Sequence, residues 1–85
     1  MNPKVIFYCT SSCPFCKMAE NLLLKKGFKV IEKIRIDLFP QMRKKMIEET
    51  GKTSVPQIFI NNKYVGGFDN LSILEKNGQL ESFFE

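Results

Sequence analysis

Apolar positions along this chain switch between two rhythms, and the switches mark out its elements. Lys4 to Cys9 (KVIFYC) is β-branched and aromatic, which predicts a buried strand. Thr10-Ser11-Ser12 is the loop after it. From Pro14 onward the apolar residues Phe15, Met18, Ala19, Leu22 and Leu23 follow helical spacing. Lys25 and Lys26 favour the C-terminal end of that helix, and Gly27 supplies a left-handed stop. Residues 30–36 (VIEKIRI) read as a second strand, with Ile34 and Ile36 alternating. Pro40 opens a second helix through Met42, Met46 and Ile47 to a stop at Gly51. Glu48 and Glu49 oppose the helix dipole there, so that end is expected to be the weaker one. Pro56-Gln57-Ile58-Phe59-Ile60 and Lys63-Tyr64-Val65 flank Asn61-Asn62, which predicts a β-hairpin. Gly66-Gly67 breaks its second arm. Asp69 is expected to cap a last helix through Leu71, Ile73 and Leu74, ending by Gly78. Leu80, Phe83 and Phe84 form an apolar tail expected to dock back on the sheet.

The predicted order is β-α-β-α-β-β-α. Two strands joined by a helix should be parallel with a right-handed crossover, and the hairpin adds an antiparallel pair. The expectation is an α/β fold, a four-stranded mixed sheet flanked by three helices.

Composition narrows the setting. Residues 1–85 suffice for one domain, and 44% hydrophobic residues with eight Phe can build a core without staples. Three cysteines do not make a closed disulfide framework. The first residues, MNPKVIFYC, show no secretory leader, and no stretch approaches the ~18–20 apolar residues of a membrane span. A reducing, cytoplasmic setting is the expectation. The net charge of +4 is spread among nine acids, with Arg43-Lys44-Lys45 the densest group. That pattern reads as a solvated surface, not a nucleic-acid face, though it would attract a small anionic ligand.

The chemistry concentrates in Cys13-Pro14-Phe15-Cys16. Two cysteines separated by two residues can cycle between dithiol and disulfide. Pro14 suits the first helical position, where its missing N–H would have no partner. Cys13 then falls at the N-cap, where its sulfur can accept from the N–H groups of Phe15 and Cys16. The helix dipole adds about half a positive charge nearby. Both effects favour thiolate over thiol, as in other cysteines at helix N-termini. Cys13 is the expected nucleophile and Cys16, one turn inside, the resolving thiol. Cys9 reads as a small buried apolar residue, with a regulatory or dimer-forming thiol as the alternative. Pro56, taken alone, reads equally as the first residue of a strand or as a turn presenting Val55 to the redox pair.

Cys13-Pro14-Phe15-Cys16 after the first strand, Thr53-Ser54-Val55-Pro56 before the third and Gly66-Gly67-Phe68-Asp69 after the fourth together resemble the glutaredoxin family, dithiol type, of the thioredoxin-like superfamily. The resemblance spans essentially the whole chain. It implies a glutathione-disulfide oxidoreductase with catalytic Cys13 and Cys16 and no resident metal. It implies a cis Pro56, with the Val55 peptide open to an extended ligand. It also implies that Phe15, Val55, Pro56, Gly67, Phe68 and Asp69 contact glutathione, with the N–H groups of Phe68 and Asp69 on the γ-glutamyl carboxylate. Implied partners are disulfide-containing or glutathionylated proteins, ribonucleotide reductase among them, with a monomeric chain and neither nucleic acid nor membrane.

Three positions depart from the family pattern. Phe15 stands where Tyr is common, Thr10 where a lysine is frequent, and Phe68 where a small residue or Cys is usual. Lys17, Arg43 or Lys52 could replace the missing cation. Two rival readings stay open: a [2Fe–2S] cluster held by Cys13 and glutathione in a dimer, and a structural zinc site. Zinc wants four ligands, and three Cys without His supply them poorly.

Overall fold

In the computed structural model, which describes residues 2–84, strand β1 (Lys4–Cys9) leads into helix α1 (Pro14–Lys25) and strand β2 (Val30–Arg35). Helix α2 (Pro40–Thr50), strands β3 (Gln57–Ile60) and β4 (Lys63–Gly66), and helix α3 (Phe68–Lys76) follow, and a 3₁₀ turn at Leu80–Phe84 closes the chain. The strand order is β2-β1-β3-β4. β1 and β2 pair in parallel, while β3 pairs antiparallel with both β1 and β4. This is the mixed thioredoxin-like sheet expected from the sequence. Among the described residues, no helix is long and apolar enough to cross a membrane.

The strand period of two sorts the core into two layers. Val5, Phe7 and Cys9 of β1 and Ile58 and Ile60 of β3 point to one face, where Cys16, Ala19 and Leu23 of α1 and Leu71 of α3 cover them. Tyr8 points to the other face, with Ile36 and with Met46 of α2. Asn61 and Asn62 both have positive φ, 52° and 66°, as a two-residue hairpin turn requires.

Several boundaries differ from the sequence expectation. β2 ends at Arg35, and Ile36 is instead buried beneath α2. α3 begins two residues earlier than an Asp69 cap would place it: Gly67 is the N-cap and Asp69 lies within the first turn. The cap interaction runs the other way, with the Gly67 N–H donating to Asn70 Oδ1 at 3.3 Å. The C-terminal end of α2, opposed by two acids, is tied down by Tyr8, whose hydroxyl donates to Glu49 Oε1 at 2.7 Å. Leu80 is buried, and Phe84 stacks near Phe28 with ring centroids 4.7 Å apart, so the tail docks beside the end of α1.

Candidate active site

The C-terminal ends of β1 and β2 carry the loops that build the site. Asp37, just past β2, accepts from the backbone N–H of Ser11 at 3.4 Å and from its hydroxyl at 3.2 Å. Arg35 grips the same carboxylate through Nε and Nη2, each at 2.8 Å. That ion pair holds the Asp37 carboxyl well below the usual carboxylate range. The loop entering α1 is thereby fastened to the neighbouring strand.

Cys13 is the N-cap of α1 and Pro14 its first helical residue. Its sulfur accepts from the Cys16 N–H at 3.3 Å. The Phe15 N–H, expected to share this role, is not a partner; the cap is met by Cys16 alone. The Cys13 thiol also faces the Val55 carbonyl at 3.7 Å, across a cis Val55–Pro56 peptide. Cys13 is half-buried, whereas Cys16 is 4% exposed. Burial, then the contact with Cys13, pushes the Cys16 thiol up to about 12. One sulfur of the pair meets solvent, and the other stays protonated within the helix turn.

Beside Cys13 lies a groove of about 240 Å³. Phe15, Val55, Pro56, Gly67, Phe68 and Asp69, all singled out from the sequence, share its lining. Phe15 and Phe68 form one rim, their ring centroids 6.1 Å apart. Of the three candidate cations, Lys52 lines this groove. Lys17 lies instead along a second cavity behind the redox pair, and Arg43 is not part of the groove.

Sequence reasoning missed Ser54, Gln57, Tyr64 and Asn70, which complete the lining. Gln57 is the one buried polar side chain among the described residues. Its Nε2 donates to the Ser54 carbonyl at 3.0 Å, and Tyr64 Oη donates to its Oε1. A buried amide must be satisfied on both ends, and here the satisfaction braces the Ser54-Val55 turn. The hairpin register, which sets Tyr64 opposite Phe59, was the available signal for it.

The family model for glutaredoxin matches residues 5–65. A glutaredoxin of Pseudomonas aeruginosa is 40% identical over 80 residues, covering 94% of either chain. The chain belongs to the glutaredoxin family. The solution structure of glutaredoxin from Brucella melitensis superposes with a TM-score of 0.81 at 40% identity, over 93% of this chain and 85% of that one. The fold is also that of the buckwheat glutaredoxin–glutathione complex, with a TM-score of 0.85 at 21% identity, over 95% of this chain and 76% of that one. This glutaredoxin is accordingly a thiol-disulfide oxidoreductase, with Cys13 and Cys16 side by side at the mouth of α1.

Proposed function

We propose that this glutaredoxin uses glutathione to reduce protein disulfides and glutathione mixed disulfides, with Cys13 as nucleophile and Cys16 as resolving thiol. The observation that carries the reading is the pairing of a solvent-facing sulfur with an adjoining groove. That groove offers a peptide edge, a helix N-terminus and a cation. Cys13 sulfur attacks the glutathionyl sulfur of a mixed disulfide; the S–S bond breaks and the protein thiolate leaves. A second glutathione thiolate attacks the Cys13-bound glutathione, restoring Cys13 and releasing glutathione disulfide. On a protein disulfide, Cys16 instead displaces the reduced protein thiol from Cys13, leaving a Cys13–Cys16 disulfide for two glutathiones to reduce.

The bound tripeptide has two carboxylates and a peptide backbone, and the groove has an answer for each. The Phe68 and Asp69 N–H groups lie in the first turn of α3, where no intrahelical acceptor exists, and suit the γ-glutamyl carboxylate. Lys52 suits the glycyl carboxylate in place of the lysine absent at Thr10. The Val55 peptide suits the backbone by strand-like pairing. That the buckwheat protein of the same fold was solved with glutathione supports the ligand class. Three cysteines without an even disulfide framework favour a reducing, cytoplasmic setting. A monomer acting on ribonucleotide reductase and other oxidised proteins fits this chemistry.

The test is glutathione-coupled reduction of a small mixed disulfide. Cys13→Ser should abolish turnover. Cys16→Ser should keep deglutathionylation and lose reduction of protein disulfides. Turnover by Cys13→Ser, or none by the unaltered protein with glutathione, would refute the assignment.

A further inference from the structure

Behind the redox pair, Cys9 and Cys16 line one cavity of about 270 Å³. Cys9 ends β1 on the sheet face that α1 covers, and Cys16 opens the buried stripe of α1 that continues through Ala19 and Leu23. The last inward position of the strand therefore meets the first inward position of the helix. A Cys9–Cys16 disulfide requires Cα atoms roughly 4.4–6.8 Å apart, and both residues lie in the same core cluster and on the same cavity. Both thiols are free and nearly buried.

The cavity is walled by charge. Lys33 bridges to Glu20 through both carboxylate oxygens at 3.2 Å, and Arg35 pairs with Asp37. Burial pushes the Cys9 thiol up, Lys33 and Arg35 pull it back, and Glu20 and Asp37 oppose them.

We propose that Cys9 is a third exchanging thiol, which can take Cys16 out of the Cys13–Cys16 disulfide. The step rests on the redox pair proposed above. Cys9, losing its proton through the cavity to solvent, attacks the Cys16 sulfur. The Cys9–Cys16 bond forms, the Cys13–Cys16 bond breaks, and Cys13 leaves with the electron pair. One disulfide replaces another, so no outside oxidant is consumed. The product keeps its oxidation in the interior while Cys13 is again a free thiol at the groove. In that isomer Cys16 is withheld, and Cys13 can work only by the one-thiol route on glutathionylated substrates.

The Cys13→Ser protein, incubated with the thiol oxidant diamide, tests this directly. The expected result is loss of two hydrogen atoms from the intact mass, with the peptide ending at Phe15 joined through Cys9 to the peptide beginning at Cys16. In the oxidised unaltered protein, iodoacetamide should label Cys13 in one fraction and Cys9 in the other; in Cys9→Ala that fraction labelled at Cys13 should vanish. The proposal falls if Cys13→Ser keeps two alkylatable thiols under conditions that oxidise the unaltered protein fully. Should Cys13→Ser fail to fold, label confined to Cys9 in the unaltered protein overturns it equally. If the unaltered protein forms no internal disulfide at all, the redox-pair reading fails too, which the glutathione-coupled assay reports separately.

Discussion

Lys52 is the residue on which ligand affinity should turn most legibly. It lies exposed in the groove wall. An exposed ion pair is worth about 0.2–1 kcal/mol. Lys52→Gln should therefore raise KM for a glutathionylated substrate by at most about fivefold, with kcat little changed, since the contact is the same in ground and transition states. Salt should raise the KM of the unaltered protein toward that of the variant, because exposed charges are screened. A KM that does not move in Lys52→Gln would remove Lys52 from the site. The sequence supplied three candidate cations and no means of choosing, because the choice depends on how the 51–56 loop returns to the sheet. The redox pair was readable for the opposite reason: Cys13, Pro14 and Cys16 define their own geometry within one helical turn.

At the scale of elements, the N-terminus of α3 depends on a glycine before the cap. Gly66 has φ +115°, a region that side chains rarely enter, and an added Cβ would sit 2.6 Å from Asn70 Oδ1. That oxygen accepts from the Gly67 N–H, so Gly66→Ala must strain the backbone and dislodge the cap together. Backbone strain and a lost cap each cost about 1 kcal/mol, and Gly66→Ala should destabilise by about 2 kcal/mol in urea unfolding. It should also weaken glutathione binding. Gly51→Ala is the matched control: φ is +73°, but no atom lies within 4 Å of the new Cβ. It should lose about half as much stability and leave binding alone; equal losses would contradict the Asn70 argument. Element order, the Asn61-Asn62 turn and the glycine stops were legible because each is local. The Asn70 cap was not, because Asp69 offers the commoner capping side chain one position earlier and only the path out of β4 decides between them.

Across the whole molecule, each of the two core layers holds a group whose protonation the fold fixes. Tyr8 lies in the sheet with its hydroxyl on Glu49, and burial with that contact pushes it to about 12 from an ordinary 10.0. Cys16 is pushed to about 12 from 9.0. A group whose pKa rises on folding stabilises fully below its unfolded value, and that contribution is lost as pH climbs to the folded one. Stability should thus begin to fall near pH 9 through Cys16 and further from pH 10 through Tyr8, with both contributions gone by about 12. Asp37 acts in the other direction: its lowered pKa stabilises above its ordinary 3.8 and ceases to do so as pH drops below it. Neither residue 8 nor residue 49 announces the other, since 41 positions separate them and only the crossing of α2 over the sheet brings them together. Tyr8→Phe keeps the ring packing, removes the titrating hydroxyl and leaves Glu49 without its donor. At neutral pH it should cost about 2 kcal/mol, the worth of a hydrogen bond to a charged group. Thermal melts from pH 8 to 12 should then show the fall beginning near pH 9 retained and the steeper fall above pH 10 reduced. An alkaline limb identical to that of the unaltered protein would mean that the Tyr8 proton does not tie α2 to the sheet.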